Sequence, residues 1–76
     1  MKQQILETAR AVADGRAHVK MHNGYKGHRA VQVYDCYADE ATQICHEIAE
    51  AIRPLVTAEG YPAVRQQAGI ALVWWR

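Results

Sequence analysis

From about Lys2 to Ala13, apolar residues recur at three- and four-residue spacing. Ile5, Leu6, Ala9, Val12 and Ala13 share one side, which leaves Glu7, Arg10 and Asp14 toward water. This spacing predicts a helix. Asp14-Gly15 ends it, because glycine adopts the left-handed conformation of a helix terminus without a Cβ clash.

The period then changes from 3.6 to 2. Val19 and Met21 alternate with His18, Lys20 and His22, and a return strand from about His28 to Tyr37 carries Val31, Val33, Tyr34 and Tyr37. Asn23-Gly24 invites a two-residue turn, but that register sets Val19 against His28 and mixes core with solvent faces. A five-residue loop, Asn23 to Gly27, instead pairs Val19 with Val31 and Ala17 with Val33. That register is the expected one, since a one-residue slip moves every side chain to the wrong face.

A second helix is expected from Asp39, a good N-cap followed by Glu40 in the first turn. Its stripe is Ala41, Ile44, Cys45, Ile48, Ile52, Leu55 and Val56. Pro54 interrupts the stripe, so the helix either stops at Arg53 or runs kinked to about Ala58. Gly60-Tyr61-Pro62 marks a loop, Ala63 to Gln67 a helical turn, and Ile70 to Trp75 a last strand. That strand is apolar at both parities. Ile70, Leu72 and Trp74 are expected in the core, and Val73 and Trp75 on the opposite face.

The sum is one α+β domain over residues 1–76: helix, hairpin, helix, strand, with a three-stranded sheet and both helices mainly on one face. The other face would expose Tyr34, Cys36, Val73 and Trp75, an apolar patch of the kind that marks an interface.

Composition strengthens the expectation of an interface. The 76 residues are 50% hydrophobic, but 13 of these residues are Ala, only 15 are Ile, Leu or Val, and Phe is absent. A core of this size seldom yields more than about 3–5 kcal/mol, so dimerisation or docking is a natural way to add burial. A homodimer or docking surface is therefore expected at Tyr34, Val73, Trp75 and Arg76, with Trp, Tyr and Arg as typical anchors.

A net charge of +1 conceals two blocks. Arg16 to Arg29 holds four Lys or Arg, three His and no carboxylate, whereas Asp35 to Glu50 holds five carboxylates and no Lys or Arg. The first block points to a basic hairpin (Lys20, Tyr25, Lys26, His28, Arg29) able to contact phosphate or an acidic partner. The second points to an acidic helix surface at Glu40, Glu47 and Glu50.

Catalytic chemistry finds little support. Ser is absent, the hydroxyls are Thr8, Thr42 and Thr57, and no glycine-rich phosphate loop occurs. Cys45 and His46, adjacent on a helix, point about 100° apart. His18, His22, His28 and His46 raise a zinc hypothesis, but there is no Cys-x-x-Cys pair and no metal or other cofactor is expected. Cys36 and Cys45 read as free thiols of a cytoplasmic protein, with no membrane span, signal peptide or lipidation motif. The expected function is thus a non-enzymatic interaction module, an inhibitor or adaptor that occupies a partner protein's surface. A phage-encoded inhibitor of a host defence complex, of the anti-CRISPR type, is one such role. The alternative is a nucleic-acid binder that uses the hairpin tip.

Overall fold

The computed structural model describes residues 2–25, 28–56, 62–67 and 70–75, and at residues 2, 23–25, 28 and 67 the backbone alone. Two helices, α1 (Lys2–Ala13) and α2 (Ala38–Val56), accompany four strands: β1 (His18–Tyr25), β2 (His28–Tyr34), β3 (Ala63–Gln67) and β4 (Ile70–Trp75). The sheet order is β1-β2-β4-β3, and all neighbours are antiparallel. Strands β2 and β3 consequently run in the same direction on either side of β4, with α2 as the connection between them. No described helix is long and apolar enough to cross a membrane.

The first helix has the expected bounds and buries Ile5, Ala9 and Ala13. Its stop is a two-residue device. Asp14 (φ 47°) and Gly15 (φ 80°) are both left-handed, and the Asp14 N–H donates to the Arg10 carbonyl at 3.0 Å. Asp tolerates this region better than most residues, so the glycine does not carry the turn alone. Arg16 then folds back. Its guanidinium donates to the Val12 carbonyl (2.7 Å) and the Ala13 carbonyl (3.1 Å), where the helix has acceptors but no intrahelical donors. The same group makes a two-pronged contact with Glu47 of α2, at 2.7 and 3.2 Å. One side chain thus caps α1 and ties it to α2.

The second helix begins at Ala38, one residue before the expected cap, and runs through Pro54 to Val56. Ala41, Ile44, Cys45, Ile48, Ile52 and Val56 are buried, which is the expected stripe except for half-buried Leu55. Pro54 removes the donor to the Glu50 carbonyl, but Pro54 and Glu50 are both exposed, so water can serve that carbonyl. The extension to Ala58 lies outside the described residues.

In the hairpin, Val19 faces Val33 and Met21 faces Val31, a register two residues from the expected one but of the same parity. Pairing continues to Tyr25 opposite His28, with a register shift between His22 and Tyr25. Without that bulge, the Tyr25–His28 pairing would set Val19 opposite Tyr34 and mix the two faces. One extra residue in β1 corrects the parity. Asn23-Gly24 therefore belongs to a bulged strand and not to the expected loop.

Two further expectations are corrected. The segment Ala63–Gln67 is a strand, not a helical turn, and the sheet has four strands rather than three. Its pairing with β4 sets Val64 beside Val73, and Gln66 reaches α2, donating to the Ala38 carbonyl at 3.1 Å and lying 3.0 Å from the Thr42 hydroxyl. Pairing on β4 outweighs the weak helical preference of Arg-Gln-Gln.

The faces of β4 are also reversed. Ala71, Val73 and Trp75 join the core beneath the helices, whereas Leu72, Trp74 and Ile70 lie on the other side. The cause is register. Val31 pairs with Val73 and Val33 with Ala71, so the apolar parity of the hairpin selects the odd positions of β4. Val73 (0% exposed) and Trp75 (1%) are thus core residues and not the exposed groups expected. Trp75 is the largest fully buried side chain, and its Nε1 has no hydrogen-bond partner among the described residues.

Two outcomes test this packing. Trp75→Ala should lose about 3–5 kcal/mol, close to the whole stability of so small a domain. Trp75→Phe, which keeps a ring and removes the orphaned donor, should lose less. Denaturant melts followed by circular dichroism measure both, and a well-folded Trp75→Ala variant would contradict the burial.

The Arg16–Glu47 pair predicts a pH signature. The hydrogen bond from Arg16 holds the Glu47 carboxyl below the usual carboxylate range, with Gln43 adding to the effect and partial burial opposing it. A depressed carboxyl stabilises the fold above its unfolded pKa, and the contribution disappears as pH falls through the folded value. Glu47→Gln should therefore lower the melting temperature at neutral pH, and the difference should shrink both in acid and at high salt. A difference that is constant with pH would refute the role.

Candidate functional site: the uncovered face of the sheet

Both helices pack on the side that carries Val19, Val31, Val33, Ala71, Val73 and Trp75. The pairings assemble the opposite face in rows across the strands. Lys20, Gln32, Leu72 and Arg65 form one row from β1 to β3. His22, Ala30, Trp74 and Ala63 form the next, and His18 faces Tyr34 beyond the first. No described helix covers these rows.

Their centre is nevertheless sealed. Ala30 and Leu72 are 0% and 4% exposed, although no described helix lies over them. Around that centre, Tyr34 and Trp74 are half-buried, and His18, Lys20, Arg65 and Ile70 are exposed. Tyr34 stacks on His18 with ring centroids 5.5 Å apart, and the Lys20 ammonium lies 5.0 Å from the Tyr34 centroid. His18 also approaches Asp35, with Nε2 3.7 Å from the carboxylate.

The layers of the molecule segregate charge. The described strands carry Lys20, Arg29 and Arg65 and no carboxylate, whereas α2 carries Asp39, Glu40, Glu47 and Glu50 against Arg53 alone. Lys20 and Arg29 of the basic block thus join Arg65 on the sheet, and four of the five carboxylates of the acidic block lie on α2.

Of the residues expected to bind, Lys20 and Tyr34 meet on the open face. Arg29 is exposed but opposes Trp75, so it shares the parity of the helix-covered side. Lys26, Arg76 and the side chains of Tyr25 and His28 lie outside the described residues. Glu40 and Glu50 are exposed on α2, Glu50 lying 3.7 Å from Arg53, whereas Glu47 is engaged by Arg16. His18, His22, Gln32, Arg65 and Trp74 were not singled out as binding residues. The signal that finds them is the parity of Val31 and Val33, carried across the sheet.

Among the described residues, open grooves flank the layers. One, of about 480 Å³, lies between the end of α1 and the edge of the open face, bounded by Arg10, Arg16, His18, Tyr34 and Asp35. Arg10 is partly committed there, donating Nε–H to the Val19 carbonyl at 3.3 Å. Another, of about 420 Å³, lies between α2 and β3 and is lined by His46, Glu50, Arg53 and Val64 among others. His22 opposes Ala30, and no group of three potential metal ligands forms among the described residues.

Neither thiol is tuned for nucleophilic attack. Burial pushes Cys45 up to about 12, with a smaller contribution from Cys36. Cys36 is also raised, first by burial and then by Glu40, Asp35 and Asp39. A thiolate is the reactive form, and both sites disfavour it. The chain matches no protein-family model, and no significant match was found among curated proteins or solved structures.

Thiol labelling with a disulfide reagent at neutral pH should therefore be slow at half-buried Cys36 and negligible at Cys45 until denaturant is added. Rapid labelling of Cys45 in the native protein would contradict both its burial and its raised pKa.

Proposed function

We propose that the chain is a non-enzymatic interaction module that acts as an inhibitor or adaptor, laying the uncovered face of its sheet against a negatively charged part of a partner. The observation that supports this reading most directly is the coincidence, on one uncovered face, of two half-buried rings with Lys20, Arg65, His18 and His22. Aromatic and cationic side chains on a rigid scaffold are the groups that dominate binding hot spots. The carboxylates of α2 lie on another layer and Asp35 sits at the edge beside His18, so the charges an approaching anionic surface meets on the face itself are those of Lys20 and Arg65. Complementarity of this kind raises association rates and rejects positively charged competitors.

The reading keeps the expected function class and moves its contact surface. Lys20 and Tyr34 are retained, Trp74 and Arg65 are added, and Val73 and Trp75 are withdrawn to the core.

The test begins with affinity capture from the native host and continues with the captured partner, purified and measured against variants by calorimetry. Lys20→Glu combined with Arg65→Glu should weaken the complex roughly tenfold or more. Glu40→Lys combined with Glu50→Lys, on the opposite layer, should leave it within a factor of a few. The reverse ranking would place the contact on α2 and sink the proposal.

A further inference from the structure

We infer that the uncovered sheet face is a platform for single-stranded nucleic acid, an inference that rests on the reading of this face as the contact surface. Four antiparallel strands present Tyr34 on β2 and Trp74 on β4, the arrangement on which unpaired bases stack. From strand geometry the two residues lie roughly 14 Å apart, several times the ~3.4 Å rise between stacked bases. They would thus receive non-adjacent bases of an extended strand.

Phosphate contacts come from the row between the rings. Lys20 and Arg65 stand at its two ends, with Gln32 between them as a neutral hydrogen-bonding group. Lys20 rests against the Tyr34 ring, and an exposed contact of that kind is weak. A stacked base displaces the ammonium, which is then free to swing to a neighbouring phosphate.

Two competing occupants fit less well. A duplex is read by an element that enters a groove, and the row of four strands is roughly 14 Å wide against a major groove of about 12 Å. A dry protein interface needs exposed apolar surface, yet Ile70 is the large aliphatic side chain exposed on this face among the described residues. Beside Gln32 and Ala63, the remaining surface is aromatic ring, imidazole and cation, which matches bases and phosphates.

The test is fluorescence anisotropy with a short labelled oligothymidylate and oligouridylate, a duplex of the same length, and polyglutamate as competitor. Both single strands should bind at low salt and more tightly than the duplex. Tyr34→Leu and Trp74→Leu should each weaken binding by roughly 5- to 150-fold. Lys20→Ala should reduce the slope of log affinity against log salt by about 0.7. Circular dichroism checks that each variant is folded. If Trp74→Leu is not, the exposed Lys20 and the half-buried Tyr34 still decide. Absence of binding to single strands, or binding that Tyr34→Leu and Lys20→Ala leave unchanged, overturns the inference. So does polyglutamate displacing the labelled strand as effectively as unlabelled oligonucleotide; that result assigns the face to an acidic protein and leaves the contact surface itself standing. Insensitivity of both oligonucleotide and host partner to the Lys20 and Arg65 variants would remove the surface as well.

Discussion

The pairing of Val31 with Val73 is the constraint on which the molecule turns. It makes β4 an interior strand, between β2 and β3, and it decides which half of an apolar strand meets the helices. Ala71, Val73 and Trp75 go beneath α1 and α2, and everything on the even positions is left to the open face. Because side chains alternate along a strand, a slip of one residue would exchange Trp75 with Trp74 and rebuild both surfaces. The core and the candidate site are therefore two results of one register.

Elements governed by local pattern were legible in the residues. Both helices, the hairpin and the apolar stripe of α2 follow from spacing that a reader can count. Pro54 left the end of α2 open because a proline in the last turn costs less where the freed carbonyl can meet water. What was not legible depends on partners distant in the chain. Ala63–Gln67 carries no strong strand signal and becomes a strand because β4 presents a free edge beside α2. Large groups at both parities of β4 do not themselves say which face is the core; only the register with β2 does. The bulge near Asn23-Gly24 hides for a similar reason, since its purpose is to reconcile a tight connection with the parity of Val19 and Val33.

Charge shows the same passage from sequence to layer. A net +1 would suggest indifference to charged partners, yet the described strands carry three cations and no carboxylate, while α2 carries four of the eight carboxylates. Arg16, a cation off the sheet like Arg10 and Arg53, ties α1 to α2. It leaves the basic block to neutralise Glu47 while capping α1, so one cation and one carboxylate are spent on architecture and removed from the surfaces available to partners. The acidic surface expected at Glu40, Glu47 and Glu50 is reduced accordingly.

The low share of large aliphatic residues suggested a domain incomplete on its own, and the structure refines this. Ala30 and Leu72 are buried on a face that no described helix covers, so water is already excluded from its centre. Stability comes from the helix-covered side, where Trp75 adds the volume that an alanine-rich core lacks. The open side is thereby released from the task of folding. Its exposed cations, Lys20 and Arg65, can be exchanged with little penalty to the core, which is the physical condition for a surface that selection can shape for recognition.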